Sequence, residues 1–228
     1  MTARTYWAAP FLACAIVAAP ALAATPRQIL SDAAFVPLDK AAALGQIARA
    51  EAGAVAILAR NPGDTDASLT RAMAIGYRAK LGKSREDAMT ARRMFEALAA
   101  AHPRDAEAVA AVGTWHLDSV GELGGMIAGM VLGAKKAVGF ETMDRAVAIG
   151  GNRAMFPALA GMLRLSLDAK DSRARALIEL AANGKVVEPI DRIMQRSAAS
   201  VLGALKAGNT KQAQALSKQF LPFGRVAH

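Results

Sequence analysis

The chain has 228 residues, of which 28 are basic and 19 acidic, so its formal net charge is +9. Hydrophobic residues make up 54% of the chain, aromatic residues only 5%, and Cys14 is the single cysteine. These numbers exclude an internal disulfide and a cysteine-built zinc site, and the fold must be held by an apolar core, which a chain of this length can bury.

Residues 1–23 have the pattern of an export signal. Arg4 supplies a positive start, residues 8–19 are apolar, and residues 21–23 form an A-x-A cleavage site. The apolar segment is shorter than the about 20 residues that a membrane span needs. We therefore expect cleavage after Ala23 and a mature, periplasmic or secreted chain of residues 24–228 without a membrane span, a thiol nucleophile or a sulfur-ligated metal.

A lipoprotein is the alternative interpretation of the same segment. Residues 11–14 end in Cys14 and have a distant likeness to a lipidation box. Phe11 is a poor first residue for such a box, and the apolar stretch before Cys14 is very short. Soluble export is the preferred prediction, and lipidation of Cys14 stays open.

The composition predicts an all-α protein with one domain, residues 24–228. Alanine, which has the highest helix propensity, dominates the chain, and no alternation of β-branched and polar residues indicates a strand. The positive charge favours anionic partners, which outside the cytoplasm are lipid headgroups or acidic proteins. A solvated helix surface of mixed charge is the other interpretation.

Helices are predicted in series after a lead-in of residues 25–40. Asp39, Ser84 and Asp105 are expected to cap helix starts, with Thr65 or Asp66 capping a further one, and Gly82 is expected in the left-handed position after a helix. The predicted helices cover residues 41–60, 66–81, 84–102, 105–120, 126–134, 141–149, 156–167, 174–182, 188–207 and 210–221.

A glycine-rich insertion interrupts the series. From position 125 a small residue recurs every fourth residue, as Gly125, Gly129, Gly133 and Ala137, which makes a smooth stripe on a helix. The uncharged run of residues 123–134 is too short to span a membrane. We expect the stripe to pack tightly inside the fold, and membrane contact is the less favoured alternative.

Two spans, residues 69–103 and 106–184, resemble degenerate tetratricopeptide repeats. The spacings of a second repeat helix are matched by Ala91, Phe95, Leu98 and Pro103. First-helix spacings are matched by Val109, Val112, Gly113 and His116, and again by Phe156, Leu159, Ala160 and Leu163.

The resemblance implies antiparallel helix pairs stacked as a short right-handed solenoid, with the glycine-rich helical insertion between two of them. It also implies a concave face, lined by the first helix of each pair, that binds a protein or peptide. The residues at the corresponding groove-facing positions are Ser68, Arg71, Arg78, Glu107, Thr114, Asp118 and Arg164. A merely solvated concave face is an equally open interpretation.

No catalytic, metal-binding or cofactor-binding motif accompanies this pattern. His116 is expected to be a half-buried packing residue, and Asp118 and Glu122 are expected at a helix end without a catalytic role. HExxH, GxSxG and phosphate-loop motifs do not occur in the sequence. Basic pairs are scattered without interleaved aromatic residues, which argues against nucleic acid as a partner.

The sequence therefore predicts an exported, non-catalytic helical-repeat protein that mediates protein or peptide interaction, as a scaffold does. The alternative is a periplasmic accessory of a transport system that binds a small organic anion, because arginines are frequent in the predicted concave set.

Overall fold

The computed structural model describes residues 24–36 and 39–226, so the signal and lipidation hypotheses concern residues outside the described part. Within that part the chain forms eleven α-helices and no β-strand, which confirms the all-α prediction. The helices are α1 (Pro26–Phe35), α2 (Lys40–Arg60), α3 (Thr65–Gly82), α4 (Arg85–Ala101), α5 (Ala106–Leu123), α6 (Gly125–Leu132), α7 (Lys136–Ile149), α8 (Met155–Leu167), α9 (Ala174–Ala182), α10 (Pro189–Lys206) and α11 (Thr210–Phe220).

Three predicted N-caps are confirmed. The side chains of Asp39, Ser84 and Asp105 accept hydrogen bonds from backbone N–H groups in the first turns of α2, α4 and α5. Helix α3 begins one residue earlier than predicted, because Asp64 accepts the N–H of Ala67.

The end of α3 also differs from the prediction. Gly82 is still helical, and Lys83 adopts the left-handed conformation, with φ of 53°. The sequence predicts that conformation for Gly82, since glycine adopts it without steric cost.

Helix α1 lies within residues 25–40, for which the sequence predicts only a lead-in. Thr25 and Gln28 form a reciprocal capping box at its start, and Pro26 occupies the first turn. Proline costs little there because the first N–H groups of a helix have no intrahelical partner. A ten-residue helix thus precedes the predicted series.

Neighbouring helices in the sequence pack against each other along most of the chain. Helix α3 contacts α2 and α4, and α5 contacts α4, α6 and α7. Helix α9 contacts α8 and α10, and α10 contacts α11. In addition α3 contacts α5, α5 contacts α8, and α8 contacts α10. We call these four helices the inner layer; α7 and α11 also contact α8.

The two ends of the described chain meet. The backbone N–H of Phe223 donates to the carbonyl of Ala34 in α1 at 2.9 Å. The Phe223 ring packs edge-on against Tyr77 of α3, with ring centroids 4.9 Å apart. Leu30 of α1 is buried in the same cluster. The segment after α11 therefore fixes α1 against the inner layer.

Helices α5 and α7 approach closely at two glycines. A Cβ added to Gly113 would lie 2.7 Å from Cγ of Met143 and 3.0 Å from the carbonyl oxygen of Gly139. A Cβ added to Gly139 would lie 2.6 Å from Cγ of Leu117. The absent side chains let the two backbones come together.

The prediction that the glycine stripe packs tightly in the fold is wrong. Helix α6 ends at Leu132, because Gly133 turns left-handed with φ of 66°. A Cβ on Gly125 would meet nothing within 4 Å. The residues that anchor α6 are instead Ala128 and Leu132, which are buried in a core cluster.

Helix α2 alone among the described helices has the length and composition of a membrane span. Its mean hydropathy reaches 1.3 over an 18-residue window, of which 22% is buried. Helix α2 also packs against α1 and α3, and it carries Arg49 and Glu51 near its middle.

Candidate ligand-binding cavity

A cavity of about 1130 Å³ lies between α1 and the inner layer of α3, α5, α8 and α10. The last residue of its wall is Pro222, next to the segment that fixes α1. Ligand pockets in proteins commonly measure about 300–1,000 Å³ and sit between helices in helical folds. The cavity is therefore slightly larger than the usual range of ligand pockets.

Apolar and aromatic side chains make up much of the wall. Helix α3 contributes three of them with a spacing of four residues, so they share one face of that helix. The larger apolar lining residues are Phe35, Leu69, Met73, Tyr77, Phe95, Trp115, Ile149, Met155, Phe156, Leu159, Ile190, Ile193 and Met194. The indole N–H of Trp115 is already bonded to the carbonyl of Ala88 at 3.0 Å, so its ring offers the cavity an apolar surface.

The charged part of the wall is acidic, although the whole protein is basic. Six carboxylates line the cavity, namely Asp32, Asp66, Asp105, Glu107, Asp118 and Glu188. Among residues 24–36 and 39–226, only three cationic side chains do so, Arg27, Lys80 and Arg153. Each of the three cations is within ion-pair distance of at least one of these carboxylates. The cavity therefore has an excess of negative charge.

Glu107 lies between two arginines at one end of the cavity. Its carboxylate accepts a hydrogen bond from Nη2 of Arg27 at 2.8 Å and from Nη1 of Arg153 at 2.9 Å. Arg27 also donates to Asp66 of α3 through Nε and Nη2. This charge network joins α1, α3, α5 and the turn before α8, so it holds α1 over the cavity.

Asp191 extends this charge network through its contact with Arg153. The side chain is fully buried, and its carboxylate accepts from Nε of Arg153 at 3.1 Å and from the backbone N–H groups of Met155, Val187 and Glu188. Burial disfavours the charge on Arg153, but Glu107, Asp191 and Glu188 outweigh burial and raise the pKa of the guanidinium. Arg153 thus stays cationic and fixed in place.

The other end of the cavity contains Lys80 and Tyr77. Nζ of Lys80 donates to Asp118 of α5 at 2.7 Å and lies 3.5 Å from Glu122. Burial opposes the ammonium charge, but Asp118 and Glu122 raise the pKa of Lys80. Burial also raises the pKa of the Tyr77 hydroxyl, so this group stays neutral at physiological pH.

The structure brings three of the seven predicted binding residues to the cavity wall. Glu107, Thr114 and Asp118, all on α5, line it. Ser68 and Arg71 of α3 lie away from the wall, and Arg71 is exposed. The face of α3 towards the cavity follows the four-residue spacing that starts at Leu69, which leaves positions 68 and 71 on other faces of the helix.

Arg78 and Arg164, also predicted to line the concave face, connect helices instead. Arg78 donates to Glu51 of α2 and to both carboxylate oxygens of Asp87 in α4. The hydrogen bonds from Arg78 lower the pKa of Asp87.

Arg164 is 5% exposed and donates to Asp144 of α7 through two bonds of 3.0 Å and to Asp171. Its guanidinium also stacks 4.2 Å from the ring centroid of Phe140. These partners hold the Arg164 side chain among the helices, so it is not free to face a ligand.

His116 does not line the cavity and is more buried than the sequence predicted. Its Nδ1 accepts the backbone N–H of Lys135 at 3.2 Å, and its ring packs edge-on against Trp115. Burial, with help from Arg92 and Lys135, lowers the pKa of His116 below its ordinary value. The neutral ring therefore connects α5 to the start of α7.

Several charged residues of the cavity wall are not among those predicted from the sequence, for different reasons. Arg27 and Asp32 are contributed by α1, and the Thr25-Pro26-x-Gln28 start could have revealed it. Lys80 could have been found by extending the four-residue spacing of Leu69, Met73 and Tyr77 by one more turn. No local pattern marks Arg153, which follows two glycines in a turn.

Comparison with known proteins identifies no relative of the chain. No protein-family model matches it, no curated protein is significantly similar, and no solved structure matches. Within residues 24–36 and 39–226, no cluster of three or more His, Cys, Asp or Glu side chains has the arrangement of a metal site.

Proposed function

We propose that the protein is an exported, non-catalytic binding protein whose cavity holds a segment of a peptide or protein partner. Its helices would be antiparallel pairs stacked as a short right-handed solenoid of the tetratricopeptide type. The inner layer of α3, α5, α8 and α10 supports that arrangement, since these helices contact one another across the pairs. The observation that carries the proposal is the apolar, acidic cavity of about 1130 Å³.

The lining defines the partner's chemistry. A segment with large apolar side chains would bury them against the aromatic and aliphatic wall, and it would gain from the area removed from water. A basic side chain on the segment would meet the excess carboxylates. Asp32 is the most accessible of these for the purpose, because it is exposed and takes part in none of the ion pairs of the described residues.

A small organic anion is the less favourable ligand. Arg71, Arg78 and Arg164, on which that alternative depended, lie outside the cavity wall. Binding an anion at Arg27, Lys80 or Arg153 would require it to displace a carboxylate that is already bonded to the cation. The proposal therefore assigns the cavity to an apolar segment with a basic group.

Isothermal titration calorimetry with three matched peptides tests the proposal. The peptides share an apolar sequence and carry lysine, norleucine or glutamate at one position. We expect the lysine peptide to bind most tightly and the glutamate peptide most weakly. Asp32→Asn should reduce the difference in affinity between the lysine and glutamate peptides. Glu141→Gln is the control, because Glu141 is an exposed residue of α7 away from the cavity, and it should leave that difference unchanged.

A cavity-filling variant provides the second measurement. Ala111 of α5 lines the cavity, so Ala111→Phe should occupy part of the space and weaken peptide binding at least tenfold. Ala100→Phe, on the exposed side of α4, is the matched control. In a Trp7→Phe background Trp115 is the only tryptophan and reports occupancy by its fluorescence. Equal binding by the two variants, or preference for the glutamate peptide, would contradict the proposal.

A further inference from the structure

Helix α6 presents an apolar face to solvent. Met126 is 79% exposed, Met130 75%, Ile127 50% and Val131 39%, and Leu123, just before the helix, is 40% exposed. The four helical residues form two pairs spaced four residues apart, so they occupy one continuous side of the helix. Clustered exposure of this kind on a soluble protein indicates an interaction surface, whereas single exposed apolar residues do not.

This face is held in a fixed position. Ala128 and Leu132 on its opposite side are buried in the cluster that contains Trp115 and Phe95. Two arginines of α4 bind its last carbonyls, Arg85 through Val131 at 3.0 Å and Arg92 through Leu132 at 2.9 Å. The exposed side chains cannot turn inward without breaking these contacts. The packing of α6 therefore keeps these apolar side chains exposed.

Cationic groups surround the C-terminal end of α6. Residues 123–140 contain Lys135 and Lys136 and no acidic residue, and both lysines are exposed. Arg85 and Arg92 lie at the same end through their bonds to the helix carbonyls, and Arg92 is also paired with Glu96. An apolar face next to cations is complementary to a bilayer surface with anionic headgroups, where lysines bind the headgroups and apolar side chains enter the acyl boundary.

A second copy of the chain is a poorer occupant for two reasons. An eight-residue helix is about 12 Å long, whereas a stable protein interface buries about 800 Å² per partner and involves about 20–30 residues a side. Two copies placed face to face would also bring their lysines near each other, and like charges in an interface are unfavourable. Shallow insertion into a bilayer needs only a few protruding side chains, to a depth of about 5–10 Å.

We propose that α6 docks the protein on an anionic lipid surface, with Met126, Ile127, Met130 and Val131 inserted and Lys135 and Lys136 bound to headgroups. The inference is independent of the ligand assigned to the cavity. It assigns a role to the insertion, for which the sequence predicted internal packing.

A local fluorescent label distinguishes insertion of α6 from vesicle binding by the apolar residues 1–23, which the full chain contains. In the full chain with Cys14→Ser, Met130→Cys is labelled with an environment-sensitive nitrobenzoxadiazole dye, and Leu180→Cys on α9, a position whose leucine is 45% exposed, is the control. Vesicles of phosphatidylethanolamine and phosphatidylglycerol should shift the emission of the label at position 130 to the blue. The label at position 180 should not respond, and vesicles of phosphatidylcholine should have a much weaker effect on both.

Charge reversal separates docking by α6 from general attraction to a basic protein. Lys135→Glu with Lys136→Glu should reduce the apparent affinity for vesicles, measured with the label at position 130, at least tenfold. The control is Lys211→Glu with Lys218→Glu, at exposed positions of α11. It changes the net charge by the same amount and should reduce the vesicle affinity far less.

Three results would overturn the inference. They are an unchanged emission at position 130 with phosphatidylglycerol vesicles, equal responses at positions 130 and 180, and equal effects of the two charge reversals. A blue shift that depends on protein concentration without vesicles, together with a dimer in sedimentation equilibrium, would assign the face to a second copy instead.

Discussion

Asp191 is a fully buried carboxylate whose oxygens accept hydrogen bonds from one arginine and three backbone N–H groups. Removing one partner of a buried ion pair leaves an uncompensated charge, which commonly costs about 3–5 kcal/mol. Asp191→Ala would leave Nε of Arg153 and the start of α10 without their acceptor. The Asp191 side chain therefore both holds Arg153 in the cavity wall and stabilises the fold.

We expect Asp191→Ala to lower the free energy of unfolding by about 3–5 kcal/mol, measured by urea denaturation. Asp191→Asn keeps the size of the side chain and one acceptor oxygen, so its loss should be smaller. A loss for Asp191→Ala below about 1 kcal/mol would show that water or another carboxylate takes over the hydrogen bonds.

His116 makes the stability of the protein depend on pH. Because the folded state lowers its pKa, the unfolded chain binds the proton more readily, and unfolding is favoured as the pH falls. The stabilising contribution is fully present above the ordinary histidine pKa of about 6.5 and is lost as the pH falls below it. Protonation of Nδ1 would also remove the acceptor for the Lys135 N–H.

His116→Asn tests this pH dependence. The asparagine oxygen can accept the same N–H bond but does not titrate. Between pH 7.5 and pH 5 we expect the wild-type urea midpoint to fall more steeply than the midpoint of the variant. Parallel pH profiles would mean that His116 is not the responsible group.

At the scale of helices, the crossing of α5 and α7 depends on the two glycines at their contact. An alanine at position 113 would improve helix propensity but would push its Cβ against backbone atoms of α7. Backbone cannot yield as a flexible side chain does. Helix propensity alone therefore predicts that Gly113→Ala stabilises the protein, whereas packing predicts that it destabilises the protein.

We expect Gly113→Ala to destabilise the protein by about 1–3 kcal/mol, as overpacking does. Gly45→Ala in α2 is the matched control, because its Cβ would meet nothing within 4 Å, and it should stabilise by about 0.4–1 kcal/mol. Thermal denaturation monitored by circular dichroism measures both. Stabilisation by Gly113→Ala would show that α5 and α7 lie further apart.

The helices that the sequence predicted well have strong local signals. Asp39, Ser84 and Asp105 cap helices whose apolar residues recur with helical spacing, and Pro103 and Gly150 lie just beyond helix ends. These signals act within a few residues, so they can be detected without tertiary information.

The elements that the sequence misjudged depend on distant partners. Helix α1 is short, and what holds it is Arg27 paired with α3 and α5, and Phe223 from the end of the chain. The orientation of α6 is set by Arg85 and Arg92, about 40 positions earlier in the chain. The same limit applies to Arg78 and Arg164, because spacing within one helix does not tell which neighbour an arginine will meet.

For the molecule as a whole, the contact between α1 and the segment after α11 completes the cavity. Phe223 is 2% exposed and packs with Leu30 and Tyr77. Without its ring, α1 would keep the Arg27 ion pairs but lose the apolar support beneath it. The first helix should then open more often than the inner layer does.

We expect Phe223→Ala to cost about 3–5 kcal/mol, as for other buried phenylalanines, and to speed amide hydrogen exchange in α1 more than in α8 and α9. Hydrogen exchange followed by mass spectrometry measures the difference. Val187→Ala, at a position that is 66% exposed, is the control. A uniform increase across all helices would mean that α1 does not open separately.

The contact between Ala34 and Phe223 also imposes an order on biosynthesis. Residues 221–226 leave the ribosome long after α1, so α1 emerges before the segment that fixes it exists. Until then the apolar residues of α1 and the facing side of α3 are exposed to solvent, a condition in which nascent chains are prone to aggregation. A protein of this design would gain from a chaperone that shields its first helices until residues 221–226 have emerged.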